Sequence, residues 1–188
     1  MVWLRVPEKC SSENQKAFEM ERAGYLAFRR QYQPAAPRLI IVAESPPVSG
    51  KYFYNPDGVV TEPLFSAVMQ QIGEKPPSKQ LGLRRLQETG WLLVDATYEP
   101  VNGYRDSKKD LVIVRDYPDL LDDLTSLSPD RSVPIVLIKV NVCRILESRL
   151  SKDGFGVINC GKEIPFPSSG QQGKFRAAFS DVVLRAAL

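Results

Sequence analysis

The sequence predicts an α/β fold, a three-layer α/β/α domain around a central, mostly parallel four-stranded sheet. Short, continuously apolar runs alternate along the chain with longer amphipathic stretches, which is the order of strands and helices in α/β proteins. The apolar runs are rich in β-branched residues and show no polar alternation, as expected for strands that are covered on both faces. The chain has 188 residues, 43% of them hydrophobic, which is enough to fill one core of this kind.

The N-terminal part of the chain is expected to be a helical extension. A helix can begin at about residue 11 and run to about residue 32, and two prolines within 33–38 end it. Residues 1–36 therefore form an extension that packs on a single domain, and this domain organisation covers residues 1–188.

Two strands and two helices are predicted in the next segment. Residues 39–43 form a strand because the run is continuously apolar and β-branched. Residues 63–72 form a helix that has proline in its first turn, and residues 78–88 form another. Gly90 caps the second of these helices, and the apolar run 91–94 is the second strand.

The C-terminal half is predicted to continue the alternation. Residues 117–127 form a helix, and the apolar run 134–138 is the third strand. A helix over about 140–150 follows it, and 156–159 forms a short fourth strand. Residues 171–187 form a closing helix with one apolar side.

Three loops are expected to meet at one site. They cover residues 44–61, 95–106 and 165–174, and the charged stretch after the second loop is assigned no element. In parallel sheets, ligands bind beyond the carboxyl ends of the strands. Long loops inside a compact domain also tend to be functional.

The composition excludes several kinds of chemistry. The chain has no histidine, which removes histidine triads and most zinc sites. Catalysis must then use carboxylates, hydroxyls, amides, lysine or backbone donors. The three cysteines, Cys10, Cys143 and Cys160, have neither disulfide-framework nor zinc-site spacing, so free core thiols are expected. We predict no metal and no cofactor.

Charge and hydropathy give a coarse expectation for location and partners. The formal net charge is +3, which is compatible with nucleic acid binding. No stretch approaches the ~20 apolar residues of a membrane span, and the N-terminus lacks the apolar run of a signal peptide. We expect a cytoplasmic, nucleoid-associated monomer without a membrane partner.

The three loops carry short motifs in a defined order. A polar pair followed by proline comes after the first strand, and aromatic residues follow it. A carboxylate ends the second strand, and a Pro-Ser-Ser loop precedes the last helix. The motifs comprise Glu44-Ser45-Pro46, then Phe53 or Tyr54, then Asp95, and Phe166-Pro167-Ser168-Ser169.

From residue 39 to the C-terminus, this ordered set resembles the uracil-DNA glycosylase superfamily. Ser45 stands where many members carry the Asp or Asn that activates water, whereas Glu44 fits the branches that have an acidic residue before a small one. Phe166 replaces the motif histidine, and Asp95 replaces the usual base-reading Asn. The chain therefore resembles a divergent member of that family.

The resemblance implies a monofunctional DNA glycosylase that flips a deaminated or damaged base, such as uracil, out of the helix and cleaves its glycosidic bond with water. Glu44 would serve as base and counter-charge, and Ser45 and Ser168 would complete the catalytic set. Phe53 or Tyr54 would stack on the base. Asp95 and Phe166 would complete the base-binding set.

A further group of residues is assigned to contacts with DNA. Backbone N–H groups of a glycine-containing loop at a helix N-terminus can grip a phosphate. The expected DNA contacts are Pro46, Pro167, Ser169, Gly170, Gln171 and Lys174.

Two alternatives stay open at this stage. The first is a protein of the same fold that binds a DNA lesion or single strand without cleaving it, which the missing histidine favours. The second is a protein that processes free nucleotides, although neither a P-loop nor a Gly-x-Gly-x-x-Gly pattern is present. The base is also open. An ionised Asp95 only accepts hydrogen bonds, so it suits uracil N3–H or an exocyclic amine rather than uracil O4.

Overall fold

A computed structural model of the chain describes residues 12–186, and it describes side chains from residue 22 onward. Within these residues, strands and helices alternate along the chain as a mixed α/β fold. The elements are α1 (Ser12–Gln31), β1 (Leu39–Ala43), α2 (Pro63–Gln71), α3 (Lys79–Thr89), β2 (Trp91–Asp95), α4 (Asp106–Arg115), α5 (Tyr117–Leu127), β3 (Ile135–Leu137), α6 (Val140–Lys152) and α7 (Gln172–Arg185).

The described strands form one parallel sheet in the order β2-β1-β3. Ile41 lies at the centre, opposite Leu93 on one side and Val136 on the other. Every residue of β1 is buried, so both faces of the central strand are covered. This burial explains why the run is continuously apolar, because no side chain of β1 faces water. The prediction of a mixed α/β fold with parallel strands is confirmed.

The expected fourth strand is reduced to a single contact, so the prediction of a four-stranded sheet is wrong for the described residues. Val157 makes one isolated parallel bridge with Ile135. Two residues further along β3, at Leu137, the side chain of Asn159 takes the place of a strand backbone. It accepts from Leu137 N at 2.7 Å and donates to Leu137 O at 3.0 Å. The backbone turns away here, since Cys160 has φ = 50° and the neighbouring Gly161 has φ = 79°.

Helix α4 occupies the charged stretch for which the sequence predicted no element. Val112 and Ile113 are buried, whereas most of the other side chains of α4 reach solvent. Two adjacent buried positions among charged residues give no clear helical periodicity, so the sequence pattern does not reveal this helix.

Helix α1 is fixed to the domain by a buried arginine. Arg29 donates to Asp123 of α5 at 2.5 Å and to the Tyr98 hydroxyl at 2.9 Å, and it is 3% exposed. Residues 1–11 of the expected extension lie outside the described residues. None of the described helices combines the length and the apolar character needed to cross a bilayer.

The cysteines differ from one another in environment. Cys143 is buried in α6, as expected of a core thiol, and its thiol donates to Leu137 O. Cys160 is exposed, so the expectation of a core thiol is wrong for this residue. Cys10 lies outside the described residues.

Candidate functional site

A cavity of about 480 Å³ lies at the carboxyl ends of the strands. It is lined by Ala43 and Asp95, which end β1 and β2, and by Lys139, which follows β3. Ligand pockets of parallel sheets occupy this position, and the volume falls within the range of small-molecule sites. Seven residues expected at the site lie together in its lining. They are Glu44, Ser45, Pro46, Phe53, Asp95, Phe166 and Ser168.

Aromatic rings form part of the cavity wall. Phe53 packs against Phe65 of α2 with their ring centroids 5.7 Å apart, and both rings line the cavity. Tyr54, the alternative stacking residue, is fully buried and lies outside the lining. Its hydroxyl donates to Leu93 O at 3.0 Å and accepts from Leu93 N at 2.7 Å. Tyr54 therefore pairs with the backbone N–H and C=O of Leu93 at the edge of β2, and Phe53 is the ring available to a ligand.

Glu44 is held by two residues that follow the third strand. Its carboxylate is ion-paired with Lys139, and its other oxygen accepts from Asn141 Nδ2 at 2.8 Å. Glu44 is 6% exposed, whereas the Lys139 side chain is 29% exposed. A carboxylate has about four acceptor positions, so Glu44 can bind a further donor beside these two. The arrangement fixes an acceptor and a cation side by side at the cavity.

Lys139 has an unusual backbone conformation. Its φ is 78° and its ψ is 129°, a combination that side chains with a Cβ rarely adopt. The strained residue joins β3 to α6, and its N–H donates to Ile164 O at 2.7 Å. Strain of this kind persists where the surrounding structure enforces it and clusters at functional sites.

Lys139 and Asn141 were not predicted from the sequence. Their position directly after the third apolar run could have indicated a site role. If this run forms a parallel strand beside β1, the residues that follow both strands lie at the same edge of the sheet. The sequence does not give the pairing order, so it does not show that β3 lies beside β1.

Asp95 is a buried polar residue of the cavity lining. It is 4% exposed, and its Oδ2 has no hydrogen-bond partner in the described part of the chain. Burial raises the pKa of its carboxyl to about 7, although the Arg29 guanidinium acts in the opposite direction and the Asp123 carboxylate adds to the rise. The Tyr52 hydroxyl, on another residue of the lining, is buried and equally lacks a partner among the described residues.

A buried ion pair anchors the loop that carries the aromatic residues. Lys79 of α3 donates to Glu62 at 2.5 Å and to Tyr52 O at 2.7 Å, and its side chain is fully buried. Burial lowers the pKa of Lys79, and the contact with Glu62 opposes this effect. Gly58 lets the loop pass close by, since a Cβ there would lie 2.5 Å from Glu62 Oε1.

Ser45 connects the first loop to the second. Its hydroxyl accepts from Val101 N at 3.3 Å, and in the same region Asn102 Oδ1 accepts from Val48 N at 2.9 Å. Ser45 lines the cavity, but its oxygen is already engaged with the neighbouring loop. This placement favours a positioning role over the catalytic role expected from the sequence.

The loop before α7 borders the cavity from outside. Phe166 and Ser168 belong to the lining, and Ser168 is exposed. Phe166, Ser168 and Gln171 also line an adjoining open crevice that shares Glu44 and Lys139 with the cavity. The remaining residues expected to contact DNA lie outside the cavity lining. They are the buried Pro167 and the exposed Ser169, Gly170 and Lys174.

Comparison of the chain with models of protein families, with curated proteins and with solved structures finds no match. The chemistry of the cavity is therefore inferred from its own residues. In the described part of the chain, no group of three or more Cys, Asp and Glu residues is placed to hold a metal ion. The cavity instead offers an aromatic face, a carboxyl oxygen of Asp95 that has no hydrogen-bond partner among the described residues, and the Glu44–Lys139 ion pair.

Proposed function

We propose that this protein is a DNA base-excision glycosylase that hydrolyses the N-glycosidic bond of a flipped-out deaminated or damaged base such as uracil. The fold proposed with this function is the α/β/α fold of the uracil-DNA glycosylase superfamily. The observation that carries the proposal is the meeting of Glu44, Phe53 and Asp95 in one cavity at the carboxyl end of the sheet. These are the three kinds of group that the reaction needs, namely an acceptor for water, a stacking face and a reader of the base edge.

Glu44 is the proposed base and counter-charge. Its carboxylate binds a water, takes one proton from it and faces the cationic sugar that forms as the glycosidic bond weakens. The water oxygen bonds to the sugar carbon, and the electron pair of the breaking C–N bond leaves with the base. Asn141 fixes the orientation of the carboxylate through the 2.8 Å hydrogen bond.

Lys139 is the proposed cation for the departing base. A base leaves as an anion, and an ammonium group beside the reacting atoms stabilises that charge. Lys139 lies in the cavity lining, paired with Glu44. It therefore offers the positive charge that histidine would otherwise supply in a chain that has no histidine.

The outer surface suits a nucleic acid backbone in single- or double-stranded DNA. The crevice beside the cavity contains Lys109, Lys139 and Arg144, each also ion-paired with a carboxylate, together with the N-terminal side of α7. Cations and free N–H groups at a helix start are the usual partners of phosphate oxygens. No cofactor is needed for this hydrolysis, and one copy of the chain supplies every group.

A lesion- or strand-binding protein that does not cleave is the second candidate. The observation that favours it is that both oxygens of Glu44 already have a partner, since one is paired with Lys139 and the other with Asn141. A carboxylate held in this way is a weaker acceptor for water than a free one. The same cavity would then retain a flipped base without hydrolysing it.

The deciding experiment is a glycosylase assay on labelled oligonucleotides that carry uracil, hypoxanthine, xanthine or an unmodified base, followed by alkaline cleavage of abasic sites. The enzyme should yield product from one of the modified bases. Glu44→Gln should lower the rate about 10²–10⁴-fold and retain binding. Glu163→Gln, the same change at an exposed position outside the cavity, should behave like the wild type. Binding without product in any variant would support the second candidate instead.

A further inference from the structure

We propose that Lys139 is a nucleophile that forms an imine with the ring-opened sugar aldehyde of an abasic site and cuts the DNA strand by β-elimination. This lyase activity goes beyond the release of a base. The inference rests on the proposed function for DNA as the source of the aldehyde. The amine of a lysine reacts with a carbonyl carbon to form an imine, and this reaction needs no metal or cofactor.

The first observation is the place of Lys139 between two openings. Its side chain lines both the cavity and the adjoining open crevice, as do those of Glu44 and Ser168. The Lys139 side chain is 29% exposed, whereas that of Lys79 is fully buried. A sugar at the junction of the cavity and the crevice would therefore lie beside an accessible amine.

The second observation is the direct contact between this amine and a carboxylate. Lys139 Nζ donates to Glu44 Oε2, and Asn141 holds the other oxygen, Oε1, at 2.8 Å. An ammonium group has only donors, so it must lose a proton before it attacks a carbonyl carbon. Glu44 Oε2 is the acceptor for that proton, because the two atoms are already in hydrogen-bond contact.

The third observation is how the backbone of Lys139 is held. Its N–H donates to Ile164 O at 2.7 Å, and its carbonyl oxygen accepts from Cys143 N at 3.0 Å. Its φ of 78° and ψ of 129° carry a steric cost that glycine would avoid. The side chain therefore starts from a fixed Cα, which reduces the entropy lost when the amine is aligned with a reacting carbon.

Three other lysines near the cavity lack this combination of properties. Lys79 is paired with Glu62, but its side chain is fully buried. Lys109 lines the crevice and not the cavity, and its partner Asp106 is 96% exposed. Lys51 lines the cavity and is exposed, so it is the residue expected to react if accessibility alone decided.

The reaction is balanced without an oxidant or a reductant. Glu44 takes one proton from the ammonium group, and the Lys139 nitrogen bonds to the aldehyde carbon C1′. The aldehyde oxygen receives one proton from this nitrogen and one from Glu44, and it leaves as water, so an iminium ion forms.

Elimination follows from the iminium ion. Glu44, again a carboxylate, removes a proton from C2′, and the electron pair of that C–H bond forms the C2′=C3′ double bond. The C3′–O bond breaks, and its electrons leave with the 5′-phosphate of the downstream fragment. Water then hydrolyses the iminium ion, which releases an unsaturated aldehyde and restores the Lys139 amine.

The test is reductive trapping of the full chain on single- and double-stranded oligonucleotides that carry a preformed abasic site. Sodium borohydride reduces an imine to a stable amine, so a covalent protein–DNA adduct reports imine formation. The matched probe carries a tetrahydrofuran in place of the abasic sugar, and it has no aldehyde. We expect an adduct with the abasic probe and none with the tetrahydrofuran probe. Peptide mass spectrometry should locate the adduct at Lys139.

Two variants separate the amine from its positive charge. Lys139→Arg keeps a cation beside Glu44, but a guanidinium group stays protonated, so this variant should yield no adduct. Lys51→Arg, the same change at the exposed lysine of the cavity lining, should yield adduct at the wild-type rate. Without borohydride, the wild type should cut the abasic probe to a fragment with a 5′-phosphate, and Lys139→Arg should leave it intact.

The preformed abasic site makes this test independent of base release. Binding of the abasic probe without an adduct, or an adduct located at Lys51, would overturn the inference. An adduct that forms at the wild-type rate in Lys139→Arg would also overturn it. In each of these cases, release of a modified base in the glycosylase assay would leave the proposed function standing. The absence of adduct, of binding to either probe and of base release would overturn both.

Discussion

Asn141 Nδ2 lies 2.8 Å from Glu44 Oε1, although the two residues are 97 positions apart in the sequence. This contact and the ion pair from Lys139 join the end of β1 to the start of α6. Neither partner is part of a motif on the Glu44 loop. The Glu44 carboxylate can make these contacts because β3 lies next to β1 in the sheet. Its position therefore depends on Lys139 and Asn141, which follow β3.

The ion pair between Glu44 and Lys139 should show strong coupling. Lys139→Met leaves a buried carboxylate with Asn141 as its remaining partner, which should lower the free energy of unfolding by about 1–3 kcal/mol. Combining it with Glu44→Gln should recover part of this loss, because the orphaned charge is removed. Urea denaturation of the two single variants and the double variant measures the coupling.

The expected magnitude is moderate because Lys139 is partly exposed and its charge is partly screened. Losses in the single variants that simply add in the double variant would show that the two groups do not interact. Raising the salt concentration should reduce the coupling energy, since screening weakens the attraction.

Lys139 should also be a site where glycine is favoured over alanine. Both Lys139→Gly and Lys139→Ala remove the ammonium group, but only glycine adopts φ = 78° with ψ = 129° without steric cost. We expect the glycine variant to be more stable than the alanine variant by about 1 kcal/mol or more. Thermal and urea unfolding of the two proteins compare them directly.

The exposed helical position Ser148 of α6 provides the matched control with the opposite sign. In a helix interior, alanine is more favourable than glycine by about 1 kcal/mol. The Ser148→Ala variant should therefore be more stable than the Ser148→Gly variant. An alanine advantage at both positions would contradict the strained conformation of Lys139.

The parts of the fold that could be predicted are those with a local cause. The strand predicted at Leu39–Ala43 is confirmed with the same bounds. Five consecutive apolar residues predict a strand that is buried on both faces, and all five are buried. Pro63 at the first turn of α2 and Gly90 after α3 also mark their helix ends locally. The end of a parallel strand also predicts a site residue directly after it, and Glu44 follows β1 in this way.

The parts that could not be predicted depend on contacts distant in sequence. Asn159 was assigned to a strand, whereas its side chain bonds to the backbone of β3. Phe53 and Tyr54 are adjacent aromatic residues with different roles. The Tyr54 hydroxyl bonds to the backbone of β2, whereas Phe53 lines the cavity. The part played by Lys139 depends on β3 lying next to β1, which no local pattern specifies.

Asn159 should be important for stability. Its amide satisfies both Leu137 N–H and Leu137 O, and it is 2% exposed. Asn159→Leu would leave the Leu137 N–H unpaired and Leu137 O with only the weak Cys143 thiol donor, so the free energy of unfolding should fall by about 1–3 kcal/mol. Asn55→Leu, at a partly exposed loop position whose side chain accepts from Asp57 N, should cost well under this amount. Similar losses at the two positions in urea denaturation would contradict the role of Asn159 as a strand substitute.

The raised pKa of Asp95 should make stability depend on pH in a defined direction. Below about pH 4 the carboxyl group is protonated in both the folded and the unfolded chain. Between about pH 4 and pH 7 the unfolded chain loses the proton and the folded chain keeps it, because burial raises the folded pKa to about 7. The unfolded state then binds fewer protons, so the contribution of Asp95 to the free energy of unfolding falls as pH rises, by at most about 1.4 kcal/mol per pH unit. Above pH 7 this contribution is constant.

Asp95→Asn isolates this effect, because the amide has the same shape and does not titrate. The free energy of unfolding of the variant minus that of the wild type should increase from pH 4 to pH 7 and then level off. Urea denaturation at half-unit pH intervals measures this difference. Asp122→Asn, at an exposed position of α5, should show no such increase and serves as the control. If the curves for wild type and Asp95→Asn ran parallel over this range, Asp95 would titrate alike in the folded and unfolded chain, and the cavity would offer a carboxylate at neutral pH.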